Sequence, residues 1–328
     1  MKKAISLILI ICLLFSFSAC KPAEETASRS GIFFDTFIKL SVFGADDGLL
    51  DSAFRLLEEY DELLSKDSPS SDVSRLNSAN GKEIEINKKT ADMISSAFEY
   101  EELSNGAFSI TLGALSGLWN FGSEGASVPK KADLDKALEA SKNGEIILNG
   151  TKARLTNGAK LDLGAFAKGY IADEIKKLYE KENKSGIIDL GGNILAVGKK
   201  PSGEDFSIGI KDPESPDKIK FTIYSEAVSV VTSGIYERNF IQNGTLYHHI
   251  LDADSGFPAE TGLLSVSVVS PSSSSADALS TALFCLGAQE GLKLVESLQN
   301  TEAVFIDKEG EALLSSGLVL KKDKIYAK

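Results

Sequence analysis

The chain has 328 residues, 43% of them apolar, and a formal net charge of −12. So acidic a body excludes nucleic-acid binding through bulk charge and excludes attraction to anionic lipid as a means of membrane retention. A phosphate ester bound here has to be met by a metal ion, backbone N–H groups and a few placed cations.

Lys2 and Lys3 open the chain, residues 4–15 are apolar apart from Ser6, and Ser18, Ala19 and Cys20 place small residues ahead of a cysteine. That is the layout of a secretory signal. The apolar run is too short to cross a bilayer as a stable helix, and residues 21–30 are polar. Residues 1–19 are therefore expected to be cleaved, leaving Cys20 as a lipid-bearing first residue; an ordinary signal with an incidental cysteine is the alternative. Residues 20–30 read as a lipid-anchored polar tether and residues 31–328 as the folded body. Loss of residues 1–19 removes two lysines and no acids, so the charge moves from −12 to about −14. Cys12 leaves with the signal and Cys20 carries lipid, so Cys285 is the one thiol left and no disulfide forms within the body. Core burial has to supply the stability, and the length allows one large domain or two lobes.

Residues 33–43 alternate with a period of two, which predicts a strand with Phe34, Thr36, Ile38, Leu40 and Val42 on one side. Asp46 or Asp47 then caps a helix whose apolar positions Leu50, Phe54, Leu57 and Leu64 recur at helical spacing. Further helices are expected over residues 90–103, ended by Asn105 and Gly106, over 133–140, and over 166–182. Short strands follow around Ile187, Ile194, Phe206, Phe221, Val228, Phe240 and Leu246, separated by Gly, Asn and Ser turns. Residues 263–269 predict a strand, 276–286 and 290–298 two helices, and the tail returns to strands. Strands grouped between helices, rather than strictly alternating with them, predict an α+β fold with largely antiparallel sheets and packed helices.

Three segments carry candidate chemistry. Residues 161–170 join a strand end to a helix start through small residues, with Lys168 in the first helical turn where it can reach an anion. The competing reading has Gly164 and Gly169 merely permitting a turn and close packing. In residues 274–281 a serine run can cap a helix, and Asp277 and Thr281, four apart, share one helical face as two hard oxygen ligands suited to Mg²⁺. The competing reading has Asp277 complementing the helix dipole and Thr281 bonding back to a carbonyl. Residues 244–256 contain the chain's two histidines. On a strand His248 and His249 point to opposite faces, so at most one of them serves a given site.

Taken in order, these segments resemble the FAD:protein FMN transferase family, the flavin transferases formerly called thiamine-biosynthesis lipoproteins. The resemblance runs through residues 33–40, 74–77 (SRLN), 106–113 (GAFSITLG), 118–122 (LWNFG), 162–170 (DLGAFAKGY), 189–193 (DLGGN), 232–238 (TSGIYER), 248–258 and 277–282 (DALSTA). It implies a Mg²⁺-dependent enzyme, with a central flavin and metal cleft, that splits the pyrophosphate of FAD, moves FMN onto a Thr or Ser hydroxyl of an acceptor protein and releases AMP. By the same resemblance the metal ligands are Asp277, Thr281 and the backbone carbonyl of Ala165. FAD contacts come from Phe34, Asp67, Ala107, Phe108, Ser109, Asp162 and Lys168, with His249 and Ile250 beside the pyrophosphate. His249 is the candidate base, a carboxylate the competing one. The implied acceptor is a membrane-associated redox subunit, with no nucleic acid as partner.

Ser109 stands where many relatives have Asp, Asp67 where many have an aromatic, Ala165 and Ala114 where Gly and Pro are common, and Phe34–Asp35 replaces the more usual Met–Gly. These departures shape flavin packing more than metal binding. The sequence does not separate this from a hydrolase using water as nucleophile to turn FAD into FMN and AMP; a non-enzymatic flavin-binding lipoprotein is the third reading, and the presence of Asp277, Thr281 and His249 argues against it.

Overall fold

The computed structural model describes residues 25–327; the expected signal, Cys20 and the start of the tether lie outside them. Strands β1 (Thr26–Phe33) and β2 (Thr36–Phe43) lead into α1 (Asp47–Leu64), α2 (Asp72–Ser78), β3 (Ile84–Glu85), α3 (Lys88–Leu103), α4 (Gly113–Trp119), α5 (Lys131–Asn143), β4 (Ile146–Asn149), β5 (Lys152–Leu155) and α6 (Ala167–Lys181). Then come β6 (Gly186–Leu190), β7 (Asn193–Val197), β8 (Phe206–Asp212), β9 (Ser215–Ser225), β10 (Ser229–Gly234), β11 (Asn239–Gln242), β12 (Thr245–His248), β13 (Leu263–Ser270), α7 (Ser273–Glu296), β14 (Glu302–Asp307), β15 (Ala312–Leu314), β16 (Leu318–Lys321) and β17 (Lys324–Ala327).

The α+β expectation holds. An eight-stranded antiparallel sheet in the order β1-β2-β6-β7-β10-β13-β14-β15 forms the middle layer. Alternation decides what each face meets. On β7, Leu195 and Val197 join the helices α1, α3 and α6, whereas Ala196 joins the opposite face. On β10, Val231 meets α7 while Val230 meets the four-stranded sheet β16-β17-β9-β8 on the far side. A separate apolar cluster around Trp119 fastens α4, α5 and the β11–β12 hairpin together. Its indole N–H donates to the Gly256 carbonyl at 2.8 Å, pinning the segment that follows the histidines.

Several sequence expectations shift. Residues 33–43 are not one strand but the second half of a hairpin: Phe34 and Asp35 both have positive φ, 52° and 58°, the backbone of a tight primed turn. Ile38, Leu40 and Val42 are nonetheless fully buried, as the alternation required. Residues 26–30, read as tether because they are polar, instead pair along the edge of the sheet, where one side faces water. The two C-terminal helices form one element, kinked where Gly287 leaves helical geometry at φ 76°. Helices α2 and α4, each seven residues, fall below the length at which apolar periodicity shows.

Candidate functional site

The site is built where the heads of α6 and α7 cross. Asp162 holds the turn before α6, accepting the Gly164 N–H at 2.8 Å on one oxygen and the Ser116 hydroxyl on the other. One turn into α6, a Cβ on Gly169 would stand 2.3 Å from the Ser273 carbonyl oxygen and 2.6 Å from the Asp277 Cβ. Only a glycine lets the two backbones approach so closely. The Gly169 N–H, which in a regular helix would reach back to the Ala165 carbonyl, donates at 2.8 Å to Asp277 Oδ2 instead. No hydrogen bond among the described residues falls on that Ala165 carbonyl. The close packing and the site are thus the same feature.

One turn further on, Asp173 closes the start of α7. Its carboxylate accepts the N–H groups of Ser273 and Ser274, each at 2.8 Å, and the hydroxyls of Ser272 and Ser274. Asp173, with Ser272 as N-cap, answers the positive end of the helix. Asp277 sits in the second turn, buried, so the reading that gave it the dipole role is replaced. Burial pushes its carboxyl above the usual carboxylate range, opposed by Lys168, the Gly169 N–H and Asn193. Nor does Thr281 bond back along the helix: its hydroxyl meets Ser233 Oγ at 3.1 Å, while Ser280 donates to the Asp277 carbonyl at 2.9 Å. A buried carboxylate, a hydroxyl and an open carbonyl therefore come from two helix heads, and Lys168 acts electrostatically on Asp277, Asp189 and His249 together.

The two histidines have different surroundings, His248 at the last residue of β12 and His249 just beyond it. His248 ends β12 and turns inward, its ring edge-on to Phe284 with centroids 5.7 Å apart. His249 is half-buried; its backbone N–H reaches the Arg238 carbonyl at 3.1 Å, and its Nδ1 stands 3.3 Å from the same oxygen. With Nδ1 protonated toward that carbonyl, Nε2 keeps its lone pair. Burial lowers both rings to about 4, and Arg238, His248 and Lys168 add to the effect at His249.

The remaining expected contacts divide by exposure. Phe34 stands at the hairpin turn, its N–H bonded to Asp61 Oδ1 at 2.9 Å, and Asp67 is exposed in the loop after α1. Ala107 and Ser109 line a cleft of about 770 Å³ that also takes in Glu101, Lys142, Asp252 and Asp254, a volume in the range of ligand sites. Phe34, Asp67, Lys168, Asp277 and Thr281 do not line it. Phe108 and Ile250 have their side chains buried in apolar clusters, so that only their backbone is left for a ligand. Asn193, Ser233, Asp173 and Arg238 were given no role from sequence. Asn193, Ser233 and Arg238 lie in the DLGGN and TSGIYER segments, whose residue pattern alone carries no chemistry.

A family model described as the ApbE family matches residues 34–305. A protein of Klebsiella pneumoniae named FAD:protein FMN transferase is 34% identical, over 88% of this chain and 92% of its own length. One of Treponema pallidum bearing the same name is 32% identical, over 94% and 93%. Among solved structures, the ApbE protein of Thermotoga maritima superposes with a TM-score of 0.82 at 28% identity, covering 89% of this chain and 97% of that one. The apo form of the Pseudomonas stutzeri flavinyl transferase ApbE gives 0.78 at 27%, covering 89% and 95%.

Proposed function

This chain belongs to the ApbE family, and from that membership we infer that it is a flavin transferase moving FMN from FAD onto an acceptor protein. The observation that carries the chemistry is the crossing at Gly169, which turns one helix N–H onto Asp277 and leaves the Ala165 carbonyl open. Asp277, Thr281 and the Ala165 carbonyl would hold Mg²⁺. All three donors are hard oxygens, and the open carbonyl and buried carboxylate fit such an ion. When bound, the cation supplies neutralisation of charge on the pyrophosphate.

Around it the chain's own groups divide the work. Lys168 holds positive charge beside the pyrophosphate, in a protein otherwise too acidic to attract one. His249, neutral and with Nε2 free, takes the proton from an acceptor Thr or Ser hydroxyl. The deprotonated oxygen bonds to the FMN phosphorus as the bond to the AMP oxygen breaks, and AMP departs with the electron pair. The backbone at Ala107, Phe108 and Ser109, with Phe34, Asp67, Asp162 and the backbone of Ile250, would position the dinucleotide.

We also read residues 1–19 as a signal and Cys20 as the lipid attachment point, which would place the enzyme on a membrane surface beside a membrane redox subunit as acceptor. Sequence layout alone supports this.

The deciding experiment incubates the protein with FAD, Mg²⁺ and an acceptor peptide and follows the products by mass spectrometry. An FMN adduct on a Thr or Ser, with AMP in equal amount, is expected. Free FMN and AMP without adduct would mark a pyrophosphatase, and absence of AMP would leave only a flavin-binding role.

A further inference from the structure

We propose that Asn193 is a positioning residue that holds the Asp277 carboxylate for the divalent cation, and that Ser229 and Ser273 fix which way its amide faces. This rests on the metal reading above.

Asn193 opens β7 and is 1% exposed. Its Oδ1 accepts the Ser273 hydroxyl at 2.7 Å, and Ser273 Oγ in turn lies 3.0 Å from the Ser229 hydroxyl; both serines are completely buried. Each serine has one proton to give. With the Ser229 proton directed at Ser273, the Ser273 proton goes to Asn193, so the amide presents its carbonyl to Ser273 and its NH₂ to the other side. An amide flip would set two donors against one another.

On that other side the NH₂ finds no hydrogen-bond partner of normal length among the described residues, an unusual condition for a buried donor. Ser273 and Asp277 are four apart on α7 and so share a face. The Asn193 amide stands beside the Asp277 carboxylate. Asp277 is thus approached by two N–H groups from different elements, Gly169 on α6 and Asn193 on β7. With Gly169 bonded to Oδ2 and the Asn193 amide poised beside it, the carboxylate has two groups to fix its orientation and keeps its remaining lone pairs for a cation. The unmet donor is accounted for by a group that tightens onto Asp277 when the site is loaded.

The test titrates metal-free full-length protein with Mn²⁺, followed by electron paramagnetic resonance, alongside thermal unfolding without metal. Asn193→Leu, close in volume and without the amide, is expected to weaken Mn²⁺ binding by about 10- to 100-fold, the range for groups that orient metal ligands. Metal-free unfolding should change little, because the loss of a partnerless donor is offset by the loss of the acceptor that Asn193 offers the buried Ser273 hydroxyl. Ser273→Ala, which keeps the amide but frees it to flip, should weaken binding by a smaller factor, and stands as the second variant should Asn193→Leu fail to fold. Equal Mn²⁺ affinity in parent and both variants, with only the unfolding midpoint lowered, would make Asn193 a structural residue and overturn the proposal. Absence of Mn²⁺ binding by the parent would overturn the metal reading itself, a distinguishable failure.

Discussion

As the proposed base, His249 would serve only while its ring is neutral, and its surroundings keep it so: burial first, then the charges of Arg238 and Lys168. Transfer should therefore hold its rate as pH falls through 6.5, where a free imidazole would protonate, and decline only toward about 4; a rate profile over pH 4–8 would show it. His249→Ala should lower transfer by about 10² to 10⁴, whereas His248→Ala, which opens space beside Phe284, should lower the unfolding midpoint with little change in rate. Parental rates in both variants would remove the base assignment. His248 also ties stability to pH. Its pKa is lower folded than unfolded, so between about 6.5 and 4 the unfolded chain binds more protons and stability falls as pH falls. The loss is about 3 kcal/mol at most and would be read by urea unfolding at pH 7 and pH 4.5. That the two histidines have different neighbours agrees with the alternation read from sequence, with His249 one residue past the end of β12. What Asn193 does was not, because its partner Ser273 lies eighty positions away and no periodicity records a contact between a strand start and a helix head.

At the scale of elements, the α6–α7 crossing tolerates nothing larger than hydrogen at Gly169. Gly169→Ala should cost about 1–3 kcal/mol by forcing the helices apart, and should dislodge Asp277, so that Mg²⁺ dependence and the urea midpoint fall together. A variant with parental Mg²⁺ affinity would separate packing from the site. The β1–β2 turn invites the reverse change. Asp35 sits at φ 58° without being glycine, so Asp35→Gly should raise stability by about 0.5–1 kcal/mol, seen as a higher unfolding midpoint. Long amphipathic helices such as α1 announced themselves, with Asp46 as the cap and Leu50, Phe54 and Leu57 buried. The Phe34–Asp35 turn did not, since neither residue carries the Asn–Gly signature of a primed turn. α7 read as two helices because Gly287 breaks the pattern although the chain resumes its course.

For the whole molecule, grouped strands were enough to forecast an antiparallel sheet with packed helices; its layering was not, because strands such as β7 and β10 bury both faces and lose the alternation that would tell one from the other. Cys20→Ser should leave the fold intact and abolish labelling by radioactive palmitate, and unchanged labelling would end the lipoprotein reading. The early start of β1 then acquires a metric meaning. Only six positions separate Cys20 from Thr26, a leash of roughly 20 Å at full stretch. From Thr26, β1 runs eight residues, about 26 Å, to the Phe34 turn. With lipid on Cys20, that turn can never stand more than about 45 Å from the bilayer. An acceptor hydroxyl carried on a long stalk would lie beyond its reach, whereas one held close to the membrane would meet the enzyme by lateral diffusion, at a frequency set by the two surface densities rather than by their concentrations in bulk.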